Sequence, residues 1–67
     1  MENKMQTVHD VRKFLQRYGT LIYTGDRQGD LDLMEDELRE LYSEWGLISA
    51  EEFRSALTVL RREREKG

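Results

Sequence analysis

An all-α fold, a small three-helix bundle, is what this sequence predicts, and three observations carry the prediction. Apolar residues recur every three or four positions in three separate stretches, the spacing of one face of a helix. Each stretch opens on a polar capping residue, and the first two close on a glycine. The chain holds no proline, no low-complexity tract and no internal repeat.

The first helix is expected over about residues 8–18. Thr7 is a suitable N-cap, and Asp10 falls three residues later, a shorter version of the capping-box acid near the positive helix end. Val8, Val11, Leu15 and Tyr18 form its apolar stripe, with Phe14 at the margin. Gly19 follows as a left-handed C-terminal cap.

The second helix is expected over about 31–45, with Asp30 as its cap. Leu31, Met34, Leu38, Leu41 and Trp45 step by three and four residues into one seam, and Gly46 ends it. The third helix, about 50–64, has the strongest start signal. Ser49 and Glu52 make a capping box, and Ile48 can pack on Phe53 as a hydrophobic staple. Phe53, Ala56, Leu57 and Leu60 supply its inner face, while the charged end from Arg61 to Gly67 is expected to fray. A link of about four residues makes the second and third helices antiparallel neighbours.

Between the first two helices lies a longer connector, "RYGTLIYTGDRQGD" with its flanks, which holds three of the five glycines. Its apolar triplet, Leu21-Ile22-Tyr23, reads as a helical turn or an extended strip, the turn being preferred because a lone strand would lack a partner. In either form some of these side chains are expected to cover the open end of the bundle. The 67 residues form one domain, residues 1–67. A chain of this size buries only about 60% of its unfolded surface, so a second subunit would add stability.

Charge is distributed unevenly. The net value is −3. Residues 1–25 carry +2 and residues 53–67 carry +3, while residues 26–52 carry −8 from ten carboxylates against Arg27 and Arg39. The acidic middle reads first as a solvated face, second as a partner for the basic third helix, within the bundle or across a dimer, and third as a dedicated acidic recognition surface. No cysteine is present, so there is neither a disulfide framework nor a thiolate metal site. No signal-peptide pattern and no membrane-length apolar run occur. A cytoplasmic protein with no membrane association is expected.

Chemistry-bearing patterns are weak. Asp26, Asp30 and Asp32 lack the order, glycine and final glutamate of a calcium loop, so no metal is expected. Gly19 and Gly25 bracket five residues, but no Lys-Ser/Thr follows, so a phosphate loop is excluded and no cofactor is implied. His9 stands alone without a nucleophile or paired carboxylates. The residues therefore point away from an enzyme, and no catalytic residue is assigned.

One constellation suggests binding. Lys13 and Arg17 share an exposed helical face beside Phe14 and Tyr18, and the connector adds Tyr23 and Arg27. Cations for phosphates and rings for bases are what single-stranded nucleic acid requires. Arg54 and Arg61 form a similar row on the third helix. The alternative is a protein-interaction module or homodimer that uses Leu21, Ile22, Tyr23 and Trp45 as an apolar patch.

Three stretches, "RYGTLIYTGD", "MEDELRELY" and "AEEFRSALTVLRRE", together resemble the small YqgQ-like proteins of Bacillus-type bacteria. The likeness spans roughly residues 8–64. It rests on Tyr18-Gly19, Tyr23-x-Gly25-Asp26, Glu37-Leu38-x-Glu40-Leu41-Tyr42, and Val59-Leu60-Arg61 with Glu63. The resemblance implies an all-α three-helix fold, a cytoplasmic location and no known enzymatic activity. Single-stranded nucleic acid binding is the kind of role it suggests.

Overall fold

A computed structural model describes residues 5–66; residues 1–4 and Gly67, which complete the expected domain, lie outside the described residues. The order is α1 (Val8–Gln16), α2 (Arg27–Arg39), a π-helical turn (Glu40–Glu44) that continues α2, and α3 (Ala50–Glu65). Among the described residues there is no strand. The three-helix, all-α architecture expected from the sequence is the one the chain adopts.

Each helix begins on a satisfied cap. Thr7 accepts from the Asp10 amide at 3.2 Å, while the Asp10 carboxylate accepts from the amides of Thr7 and Gln6. Ser49 and Glu52 complete a reciprocal box at 3.1 and 2.9 Å. These contacts supply acceptors for amides that a helix start leaves without intrahelical partners. Helix α2 differs from expectation: it starts four residues early, at Arg27, and its cap is Asp26, which accepts from the Gly29 amide at 3.0 Å. Asp30 is thereby freed for another task inside the first turn. Helix α1 stops at Gln16. Gly19 (φ 84°) closes it, with its own amide on the Gln16 carbonyl and the Thr20 amide on the Leu15 carbonyl.

The core collects Val11, Phe14 and Leu15 from α1, Leu31, Met34 and Leu38 from α2, Leu41 from the π turn, and Ala56, Val59 and Leu60 from α3. Met5, Ile22 and Ile48 close it from outside the helices. Phe14 proves to be inside and Tyr18 at the margin, the reverse of the expected order, because α1 ends before Tyr18. Met5 is anchored by its amide on the Ser55 hydroxyl at 3.0 Å.

The charged end of α3 does not fray up to Glu65. Arg64 bonds Asp32 at 2.7 Å and Glu35 at 2.8 Å, and Arg27 bonds Glu63. Acidic α2 and basic α3 are thus paired within one bundle. Exposed pairs of this kind add little stability one by one. Their effect here is to tie the last turns of α3 to α2.

The π turn breaks the seam of the second helix. The Ser43 hydroxyl donates to the Arg39 carbonyl at 2.8 Å, and the Trp45 amide reaches back five residues to the Glu40 carbonyl at 3.0 Å. The Leu47 amide then reaches the Leu41 carbonyl, six residues back, around Gly46 (φ 61°). A wider turn shifts every later side chain round the axis. Leu41 stays buried, Tyr42 stacks flat on Phe53 at 4.6 Å, and Trp45 turns outward to 67% exposure.

Candidate functional site: the connector and its anchor

Thr20 to Thr24 form neither helix nor strand, and their side chains alternate in burial as along an extended backbone, in place of the helical turn preferred for residues 21–23. Side chains alternate along an extended backbone. Accordingly Ile22 is buried, while Leu21 and Tyr23 stand 83% and 86% exposed. The strip needs no partner strand because side chains hold it. Arg12 donates to the Ile22 carbonyl, and the Thr24 amide and hydroxyl both lie 2.7 Å from Asp30 Oδ1. Asp30 Oδ2 is 3.6 Å from Arg12 Nη2. Arg12 from α1 and Asp30 from α2 therefore clamp the connector between them.

Asp30 is the one charged residue buried among the described residues. Its carboxyl is held below the ordinary aspartate range, first by the Thr24 hydroxyl and amide and then by the Arg12 guanidinium. Asp10 is lowered too, chiefly by the amides of Gln6 and Thr7. The importance of Asp30 was readable only as a cap. Its real role depends on Arg12, eighteen positions away in sequence.

The residues considered for nucleic acid do not form one surface. Arg12 faces the connector, and Lys13 and Arg17 sit about 100° and about 140° further round α1. Tyr18 lies at the other flank, edge-on to buried Phe14 at 5.5 Å. Tyr23 and Arg27 are on the connector side, and Arg27 is engaged by Glu63. On α3, Arg54 and Arg61 point outward, about 140–160° from wholly buried Ala56. Among the described residues, Lys13, Arg17, Arg54 and Arg61 form no ion pair with a carboxylate.

The alternative patch is also divided. Ile22 belongs to the core, so it offers no contact surface. Tyr23 lines a cleft with Arg27 and Glu63, at the start of α2. Trp45 follows the far end of the same helix and its π turn, about 25 Å away at 1.5 Å per residue. What the sequence joined as one patch is separated: exposed Leu21 and Tyr23 lie on the connector, and exposed Trp45 lies at the other end of α2, close in sequence to exposed Leu47 (56%) and Tyr42 (40%). Leu47 and Tyr42 were not singled out, although Leu47 directly follows the glycine that ends the helix.

The cleft beside Tyr23, about 320 Å³, is lined by Val8, Arg12, Asp30 and Leu31 as well. Both of its arginines already meet carboxylates. Among the described residues, no group of three or more His, Cys, Asp or Glu side chains is arranged to hold a metal ion.

The family model of YqgQ-like proteins matches residues 5–66. This chain belongs to the YqgQ-like family. A Bacillus subtilis (strain 168) protein that bears the name "Uncharacterized protein YqgQ" is 40% identical over 62 residues, 92% of this chain and 86% of that one. No solved structure matches. Both the signature stretch Tyr18–Asp26 and the clamp that holds it fall within the YqgQ-like match. No helix among the described residues is long and apolar enough to cross a membrane.

Proposed function

We propose that this YqgQ-like chain is a non-enzymatic interaction module that meets another protein chain through Leu21 and Tyr23, in the simplest case a second copy of itself. One observation carries the reading: two large apolar side chains project from a strip that is fixed rather than loose. Among the described residues, the amides of Leu21, Ile22 and Tyr23 meet no acceptor. An extended segment with free amides and outward apolar side chains can be extended by a strand from another chain. A cytoplasmic address belongs to the same proposal and is supported by a chain without cysteine.

Sedimentation at rising concentration tests it. The wild-type chain is expected to associate, and a Leu21→Ser/Tyr23→Ser double variant to remain monomeric. Because both side chains are exposed, folding stability should change by no more than about 0.5 kcal/mol per site. A wild-type chain that stays monomeric at high concentration ends the self-association reading.

Single-stranded nucleic acid is the second reading. It is supported by the exposed cations Lys13 and Arg17, which form no ion pair among the described residues. Here binding of a labelled oligonucleotide should weaken steeply with salt, and Lys13→Ala/Arg17→Ala should reduce the slope by about 2. Absence of binding at low salt removes it.

A further inference from the structure

We infer that the opposite end of the bundle, around Trp45, is a second docking surface, and that its occupant is a basic, amphipathic segment of another protein. The inference is independent of the connector. It starts from a conflict between local pattern and structure. Spacing assigns Trp45 to the buried seam of α2, and an uninterrupted α-helix would carry it there. The π turn instead ends with the ring in solvent, within three residues in sequence of exposed Leu47 and Tyr42. π turns of this kind recur at functional sites. Tyr42 is held in place by its stack on Phe53, so part of this apolar surface is rigid. Exposed Trp and Tyr on a fixed frame are the side chains that most often anchor a protein contact.

Charge says what should cover it. Between residues 40 and 52 the chain has four carboxylates, Glu40, Glu44, Glu51 and Glu52, and no basic side chain. None of the four forms an ion pair among the described residues. Glu52 is used by the Ser49 cap, and Glu51 sits at a helix start, where acids are favourable. Glu40 and Glu44 are different. They occupy the last turn of the second helix, where the helix dipole already concentrates negative charge and cations are the favoured residues. A helix end that gathers carboxylates against its own dipole, next to an outward tryptophan, departs twice from what folding alone would select. An apolar centre with an acidic rim is complementary to Leu or Phe side chains flanked by Lys or Arg.

Trp45 is the sole tryptophan, so its emission reports this surface alone. The probe is a labelled helical peptide made only of leucine and lysine, with a leucine–glutamate peptide of the same pattern as control. The lysine peptide is expected to bind, to shift Trp45 emission to the blue, and to lose affinity about tenfold or more between about 50 mM and about 300 mM salt. Trp45→Ala and Glu40→Gln/Glu44→Gln should each weaken binding about tenfold, read from anisotropy of the label, whereas Trp45→Phe keeps most of it. Far-UV circular dichroism confirms that the variants are folded. Leu21→Ser/Tyr23→Ser should leave this affinity unchanged. The inference fails if the lysine peptide does not bind, if the glutamate peptide binds equally, or if the Trp45 and Glu variants bind as well as wild type. It also fails if Trp45 emission shifts with protein concentration alone, since a second copy would then be the occupant.

Discussion

Leu38→Ala is expected to leave much of the chain unfolded under conditions in which the wild type is folded. Leu38 is wholly buried, on the face of α2 that also carries Met34 and runs on to Leu41. Truncating such a residue removes transferred apolar surface and leaves a void that neighbours fill only in part. The cost is about 2–5 kcal/mol. A domain of this length has only a few kcal/mol in hand, so a loss of about 3 kcal/mol is comparable with everything that holds it folded. Leu33, five positions earlier on the same helix and 44% exposed, provides the contrast. Its truncation should cost under about 1 kcal/mol. Urea titration followed by circular dichroism reads both. Equal midpoints for the two variants would show that the described core is not the one that stabilises the protein.

How far such a core could be read in advance depended on whether the deciding contact was local. The start of α3 was fully legible, because Ser49 and Glu52 satisfy each other within four residues. Much of the buried faces of α2 and α3 was legible through spacing alone, but Val59 was missed, and Phe53 and Leu57, expected inside, are only partly buried. The first turn of α2 was not: Arg27, Gln28, Gly29 and Asp30 carry no apolar residue, so the seam signal began at Leu31 and drew the cap with it. The position of Trp45 depended on a π turn, which the three-four spacing of the apolar residues does not reveal. In the connector, three apolar residues are too few to show a period. Whether Leu21-Ile22-Tyr23 coils or extends was decided by Arg12 and Asp30. Arg27 looked like a free cation because its partner, Glu63, lies thirty-six positions away. The candidate surfaces were thus visible as residues but not as neighbours.

The same Asp30 clamp yields the second large effect. Asp30→Ala is expected to lower the melting temperature more than any surface substitution, and to release the connector before the helices unfold. The Thr24 amide and hydroxyl would lose their carboxylate oxygen, and Arg12 its charge partner. Both Thr24 bonds lie in a part-buried site, where losing the acceptor costs more than in open solvent. Amide hydrogen exchange should accelerate first at Thr24. Asp30→Asn is the informative companion, since it retains an oxygen for Thr24 and removes only the charge. Its defect should be smaller at neutral pH and should shrink further on acidification, as the wild type loses the charge that the variant lacks. The wild-type Asp30 carboxyl lies below the ordinary aspartate value when folded, so the folded state binds fewer protons than the unfolded state in acid. The stabilisation is complete above the ordinary aspartate range, near pH 4, and is lost as the pH falls through the lowered folded value. Asp10 contributes with the same sign through the first capping box. Acid titration of stability should therefore be steeper for wild type than for Asp30→Asn, with the remaining slope belonging in part to Asp10. Identical acid profiles for the two proteins would mean that Asp30 gains nothing from its charge, and that Arg12 holds the connector through the Ile22 carbonyl alone.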